Sequence, residues 1–358
     1  MKQKLIAVAV AGALAAPAAA LAQSTVQIYG TLKAEYGFVS MPDHGTPGTS
    51  YKNWDGFNSG ASNIGFKGEE KLGGGLSAFF QCESDIRFLG GTTRTSGSLC
   101  DRNSALGLKG GFGSFFVGTW DSPEKLAIGK TRMLEDTGWT GVTHMLFQES
   151  NRNAHSINYN SPNFSGFSVA LQTTSTNAAS NTTVDGRKGR ANGLNLVYGQ
   201  GPLDVAFGYT VENDNRSSSG GTAGKDTSMT LGGAYKFGPA QVGVTYNKWK
   251  AQGAAGDVKR DAWNFAVNYN FAGANYLWAG YTLAKDFKGS LGGADTGGDQ
   301  WQLGVGHRLS KRTEARLGYA RVKNDSNNND YTVGNLTAGA ARNGSNSSVV
   351  AVQVFHKF

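Results

Sequence analysis

Residues 262–271 read AWNFAVNYNF. Trp263, Phe265, Val267 and Tyr269 fall on one parity, and Asn264, Ala266, Asn268 and Asn270 on the other. Side chains alternate across a β-strand, so this period of two marks a strand with one apolar and one polar face. The same split recurs in LNLVYG (194–199), VAFGYTV (205–211), MTLGGAYKF (229–237), QVGVTYN (241–247), WQLGVGHRL (301–309), ARLGYAR (315–321) and the terminal SSVVAVQVFHKF (347–358). The faces opposite the apolar ones are built of Gly, Ala, Asn, Gln, Thr, Ser and Arg.

A soluble sandwich turns its apolar face onto a second sheet; a membrane barrel turns it out to lipid and lines its interior with the polar face. Two patterns favour the barrel. Aromatics gather near strand ends, at Tyr159/Phe164, Tyr235/Phe237, Tyr269/Phe271 and Tyr276/Trp278, where interfacial girdles lie. Connections alternate between long Gly/Ser/Asn/Asp-rich loops and tight turns at 71–75, 110–113, 160–166, 199–202, 237–240, 271–274 and 309–312. Seven tight turns imply fourteen strands, and segments near 25–38 and 346–358 bring the total to sixteen. The expectation is an all-β fold: a sixteen-stranded antiparallel transmembrane β-barrel with short periplasmic turns and long external loops. An open edge in lipid would strand its backbone groups, so the first and last strands should pair.

The 358-residue chain opens MKQKLIAVAVAGALAAPAAALAQ, with Lys2 and Lys4, an apolar run and an A-x-A site before Gln23. That reads as a secretory signal peptide over 1–22, leaving 23–358 as the exported barrel domain. Beyond it no stretch is long and apolar enough for a membrane helix. With 52 Gly the composition disfavours helix. Past the signal, 32 basic side chains face 26 acidic ones with no basic run, so nucleic acid is not an expected partner. Cys82 and Cys100 are the only cysteines, and in an exported chain they are expected to form a disulfide. The five histidines sit apart and neither G-x-S-x-G nor H-E-x-x-H occurs, so no enzyme activity, metal or cofactor is expected.

VQIYGTLKAEYGFVS (26–40), SNIGFKGEEKLGGGLSAFFQ (62–81), RNSALGLKGGFGSFFVGTWDSP (102–123), NSPNFSGFSVALQ (160–172) and the C-terminal Phe occur in this order. Together they resemble the general porins of Gram-negative outer membranes, most closely the beta-proteobacterial branch. The resemblance implies a homotrimer in the outer membrane, in contact with lipid and lipopolysaccharide, passing ions and small hydrophilic solutes by diffusion. It also implies a third loop, about 120–151, folded into the lumen; this loop's apolar content (Leu126, Ile128, Met133, Leu134, Trp139, Leu146, Phe147) suits an inserted position. A solute-selective channel and a surface adhesin or receptor barrel are the alternatives.

A constriction of this kind works by the field between basic wall residues and acids on the inserted loop. By resemblance Arg102 and Arg152 match basic wall positions, and Lys33 lies on the polar parity of the first strand. Asp121, Glu124, Glu135 and Asp136 are the expected loop acids. Asn63 and Thr119 stand where many relatives carry arginine, which argues against strong anion selectivity. Phe358 is expected to serve as an assembly signal read by the barrel assembly machinery.

Overall fold

The computed structural model describes residues 25–42, 53–89, 99–131, 139, 152–174, 189–215, 224–253, 256–290, 292–329, 331–335 and 343–358. The signal segment and the loop acids Glu135 and Asp136 lie outside these described residues. In chain order the strands are β1 Thr25–Ser40, β2 Asn53–Asn58, β3 Asn63–Gly73, β4 Leu76–Asp85, β5 Ser104–Gly110, β6 Gly113–Asp121, β7 Arg152–Asn160, β8 Phe167–Thr174 and β9 Arg190–Gln200. They continue as β10 Leu203–Asn215, β11 Gly224–Phe237, β12 Ala240–Gly253, β13 Gly256–Phe271, β14 Asn275–Ala284, β15 Gly298–Arg308, β16 Thr313–Asn324 and β17 Asn346–Lys357. One helix, α1 Pro123–Thr131, follows β6.

Each strand pairs antiparallel with its neighbours, and β17 returns to β1 in a register running from Thr31↔Lys357 to Ser40↔Ser348. The sheet is therefore closed, and no edge is left for lipid. Seventeen strands among the described residues occupy sixteen places, because β2 and β3 both pair with β1 along a single stave. The break falls at 59–62, where Gly60 has a positive φ of 54° and the Ser62 hydroxyl accepts a hydrogen bond from the Lys33 N–H at 2.8 Å. A side chain thus satisfies a ladder donor that the interrupted strand cannot reach.

Parity sorts the faces. Trp263 and Phe265 point outward at 36% and 44% exposure, while Asn264 between them is fully buried on the inner face and donates to Thr282 Oγ1 at 2.9 Å. Val350, Val352 and Val354 face out; Ala351, Gln353 and Phe355 are buried inside. Tyr276 and Trp278, read from the sequence as girdle residues, instead turn inward and are buried. Their partners across the ladder, Gly306 and Gly304, have no side chain to contest that space. The hydrophobic core consequently lies within the barrel, where Ile128 and Trp139 pack with inward Val39, Ala262, Ala320, Val322, Val349 and Ala351. No helix among the described residues is long and apolar enough to cross a membrane.

The seam ends where the chain ends. Gly30 N donates to Phe358 O at 3.2 Å and Phe358 N to Gly30 O at 3.1 Å. A Cβ on Gly30 would lie 2.6 Å from the Phe358 ring, so glycine there admits the terminal aromatic. On the outer face Cys82 and Cys100 are disulfide-bonded.

Candidate functional site

The inserted connection begins at Asp121. Ser122 caps α1, its Oγ accepting from Lys125 N at 3.2 Å, and Pro123 occupies the first helical position, where its missing N–H costs nothing. The helix lies inside the barrel against β9, β10 and β11. Asn195 on β9 donates to Pro123 O at 2.7 Å, and Gly208 on β10 allows contact: a Cβ there would sit 2.6 Å from Glu124 Cα. Gly208→Val should displace α1 and alter single-channel conductance while leaving the β circular-dichroism signal intact, at a cost of about 1–3 kcal/mol for overpacking. Unchanged conductance would mean that the helix does not bound the pore.

Glu124 anchors this helix. It is fully buried, and its Oε1 accepts from Ser228 Oγ (2.9 Å), Thr230 Oγ1 (3.0 Å) and Asn247 Nδ2 (2.8 Å) on β11 and β12. A carboxylate withdrawn from water is tolerated only with such donors around it. Glu124, expected among the acids facing the passage, is thus a latch between loop and wall. A second buried carboxylate, Glu35 on β1, does the same farther along: its Oε2 accepts from Trp139 N at 2.9 Å and from Gln353 Nε2 at 3.3 Å. Trp139 also meets Trp54 edge-on, with ring centroids 5.3 Å apart. β10 and β1 stand half a circuit apart, so the described parts of the connection touch opposite walls.

At the root of the loop the expected basic residues come together. Asp121 and Arg152 are register partners on β6 and β7. Arg152 Nε lies 3.1 Å from Asp121 Oδ1 and 2.8 Å from Asn103 Oδ1. Asp121 also takes Lys125 Nζ at 3.0 Å, one helical turn on. Beside Asn103, Arg102 puts Nε 2.6 Å from Glu83 Oε1 and Nη1 2.6 Å from Asp85 Oδ1. Arg102 precedes the regular ladder of β5, so the shared parity of Leu106 and Leu108, which point outward, does not govern it. Burial weakens its charged form, but the two carboxylates outweigh that and hold its pKa above the usual value. Burial also pushes the Lys125 ammonium down; Asp121 opposes this, while repulsion from Arg152 and Arg102 adds to it.

The cluster therefore holds three cations, Arg102, Lys125 and Arg152, and three carboxylates, Glu83, Asp85 and Asp121, all in contact pairs. Lys125, Glu83 and Asp85 were not among the expected residues. The Asp121–Lys125 spacing of four and the parity of β4, which places Glu83 and Asp85 with Gln81 on the inner face, are the signals that point to them. Lys33 stands apart from the cluster, its Nζ 5.6 Å from the centre of the inward Phe355 ring. Arg316, also on the inner face, is buried among Phe355, Tyr276 and Trp278, its guanidinium 4.2 Å from the Phe355 ring centre.

Residues 7–328 match the family model described as Gram-negative porin. Outer membrane porin protein 32 of Delftia acidovorans is 28% identical over the whole of both chains. The major outer membrane protein P.IB of Neisseria meningitidis serogroup B is 29% identical over 88% of this chain and 91% of its own. Among solved structures, an anion-selective porin from Comamonas acidovorans superposes with a TM-score of 0.78 at 24% identity, covering 94% of this chain and 100% of that one. OmpT of Vibrio cholerae superposes at 0.67 and 18% identity, covering 94% of this chain and 98% of its own. A closed sixteen-place barrel, a helix latched to its inner wall and a match over most of the sequence lead to one conclusion: the chain belongs to the Gram-negative porins, outer-membrane barrels that act as diffusion channels.

Proposed function

We propose that this porin passes ions and small hydrophilic solutes through a narrowing set by the root of the inserted loop, with Arg102, Arg152, Lys125 and Lys33 as its basic side and Asp121, Glu83 and Asp85 as its acidic side. The observation that carries this reading is the contact-paired cluster of three cations and three carboxylates on the inner wall. Paired charges cancel at a distance, so the field across the passage is weaker than that of an unopposed arginine row. Lys67, whose ammonium group lies over the Tyr29 ring, adds a small positive excess. The expected result in a tenfold KCl gradient is a small reversal potential on the anion side. A potential close to the chloride or potassium Nernst limit would overturn it. The Comamonas porin is anion-selective; here the same fold carries a milder preference.

The assembly we assign is a homotrimer, as one Vibrio OmpT structure of the same fold is described as a trimer form, with lipid and lipopolysaccharide around the outward apolar faces. Phe358 acts as the address read by the barrel assembly machinery. Among the described residues it adds two hydrogen bonds to the seam, each worth about 1 kcal/mol. Deleting Phe358 should therefore leave refolding in detergent largely intact but reduce folded trimer in the outer membrane severalfold. Equal loss in both settings would make it a structural clamp only, and normal yield in both would remove the role altogether.

A further inference from the structure

Just on the tight-turn side of the charged cluster, the inner wall carries a row of rings with no part in the latches. Phe79 on β4 and Phe116 on β6 sit on the same ladder row, separated by Gly107, which has no side chain to keep them apart. Their ring centroids are 5.9 Å apart, and Phe116 meets Trp120 at 4.9 Å. Trp120 is followed directly by Asp121, so the row leads away from the narrowing. The rings line a hollow of about 470 Å³, which also takes in Gln81, Lys67 and Lys109. That volume falls within the range of small-molecule sites, and such sites combine apolar walls with a few charged or polar groups.

The charges here differ from those of the cluster. Lys109 is neutralised by Glu69 at 2.6 Å. Lys67 is exposed to the interior and lies 5.0 Å from the centre of the Tyr29 ring, with no carboxylate partner among the described residues. Tyr29 in turn donates to Glu83 Oε2 at 3.1 Å, which fixes the ring under the ammonium. The hollow thus offers flat aromatic faces and one uncompensated ammonium.

We propose that this hollow is a transient binding site for aromatic monocarboxylates, the ring lying against Phe79 and Trp120 and the carboxylate on Lys67. The inference rests on the channel reading and adds a solute class to it. A site of this kind accelerates passage when it is weak enough to release its solute, as conduction through any binding site requires.

The test uses benzoate, cyclohexanecarboxylate and acetate added to reconstituted trimers in KCl, with block of the ionic current as readout. Benzoate should block half-maximally at a concentration about fivefold below cyclohexanecarboxylate, the contribution of one aromatic pair, and acetate should block least. Phe79→Leu keeps an apolar side chain but removes the ring face, and should abolish the gap between benzoate and cyclohexanecarboxylate. Lys67→Gln should weaken block by both ring acids severalfold and narrow the gap between them and acetate. Equal block by the three acids, or an unaltered benzoate preference in Phe79→Leu, overturns the site while leaving the channel in place. Absence of current before any acid is added would instead overturn the channel reading itself.

Discussion

In Glu124→Ala, the single-channel current should become larger and noisy while the barrel remains folded. The carboxylate is the common acceptor for Ser228, Thr230 and Asn247, and those three donors are buried with it. Alanine removes the acceptor on which the Ser228 and Thr230 hydroxyls converge and leaves Asn247 Nδ2 only those hydroxyls and Met229 O, a loss of about 3–5 kcal/mol for a charged buried network. The strand ladders do not pass through Glu124, so the cost falls on the attachment of α1 to β11 and β12. Glu124→Gln keeps an oxygen able to accept from the same hydroxyls and amide, and should lie much nearer to wild type. A quiet, wild-type current in Glu124→Ala would show that α1 is held by Gly208, Asn195 and the apolar contacts alone. Collapse of both variants to unfolded protein would place the carboxylate in barrel assembly.

Arg102→Ala should move ion preference towards cations more strongly than Arg152→Ala. Arg102 stands between Glu83 and Asp85, and its removal takes away the cation that both carboxylates share on the inner wall, while Glu83 keeps its hydrogen bond from the Tyr29 hydroxyl. Removal of Arg152 leaves Asp121 still paired with Lys125 at 3.0 Å. One elementary charge near 4 Å in water is worth about 1 kcal/mol, so the permeability ratio for potassium over chloride should rise about fivefold in Arg102→Ala at low salt and less at high salt. The double substitution Glu83→Gln with Asp85→Asn should shift preference in the opposite direction. Reversal potentials measured in the same KCl gradient compare all three. Equal shifts for the two arginine variants would contradict the paired geometry.

The fold is legible in the chain because its signals are local. Alternation in AWNFAVNYNF and the Gly-rich turns fix strand, face and connection within a few residues of each other. The interruption between β2 and β3 is not local: it depends on Gly60 taking a positive φ and on the Ser62 hydroxyl finding Lys33 on another strand. Proximity to strand ends suggests a girdle for Tyr276 and Trp278, but the parity they share, opposite to that of Leu277 and Leu283, turns them inward. Ser122-Pro123-Glu124 carries the cap, first-turn proline and acid that open a helix, a short signal easily lost in a loop. The function of Glu124 could not be read at all, since its partners lie 104 to 123 residues away. For Arg102 and Arg152 the residue types and resemblance bring them to the inner wall, whereas their carboxylate partners emerge only from the register of β4 and the register shift near the end of β6.

Single-channel recording from purified protein in a planar bilayer tests the central claim most directly. A homotrimeric porin narrowed by a latched loop should insert as one unit, show current in three equal steps, and keep those steps steady in wild type while Glu124→Ala makes them larger and unstable. A sealed bilayer at high protein concentration, or a single conducting level indifferent to Glu124, would contradict the account.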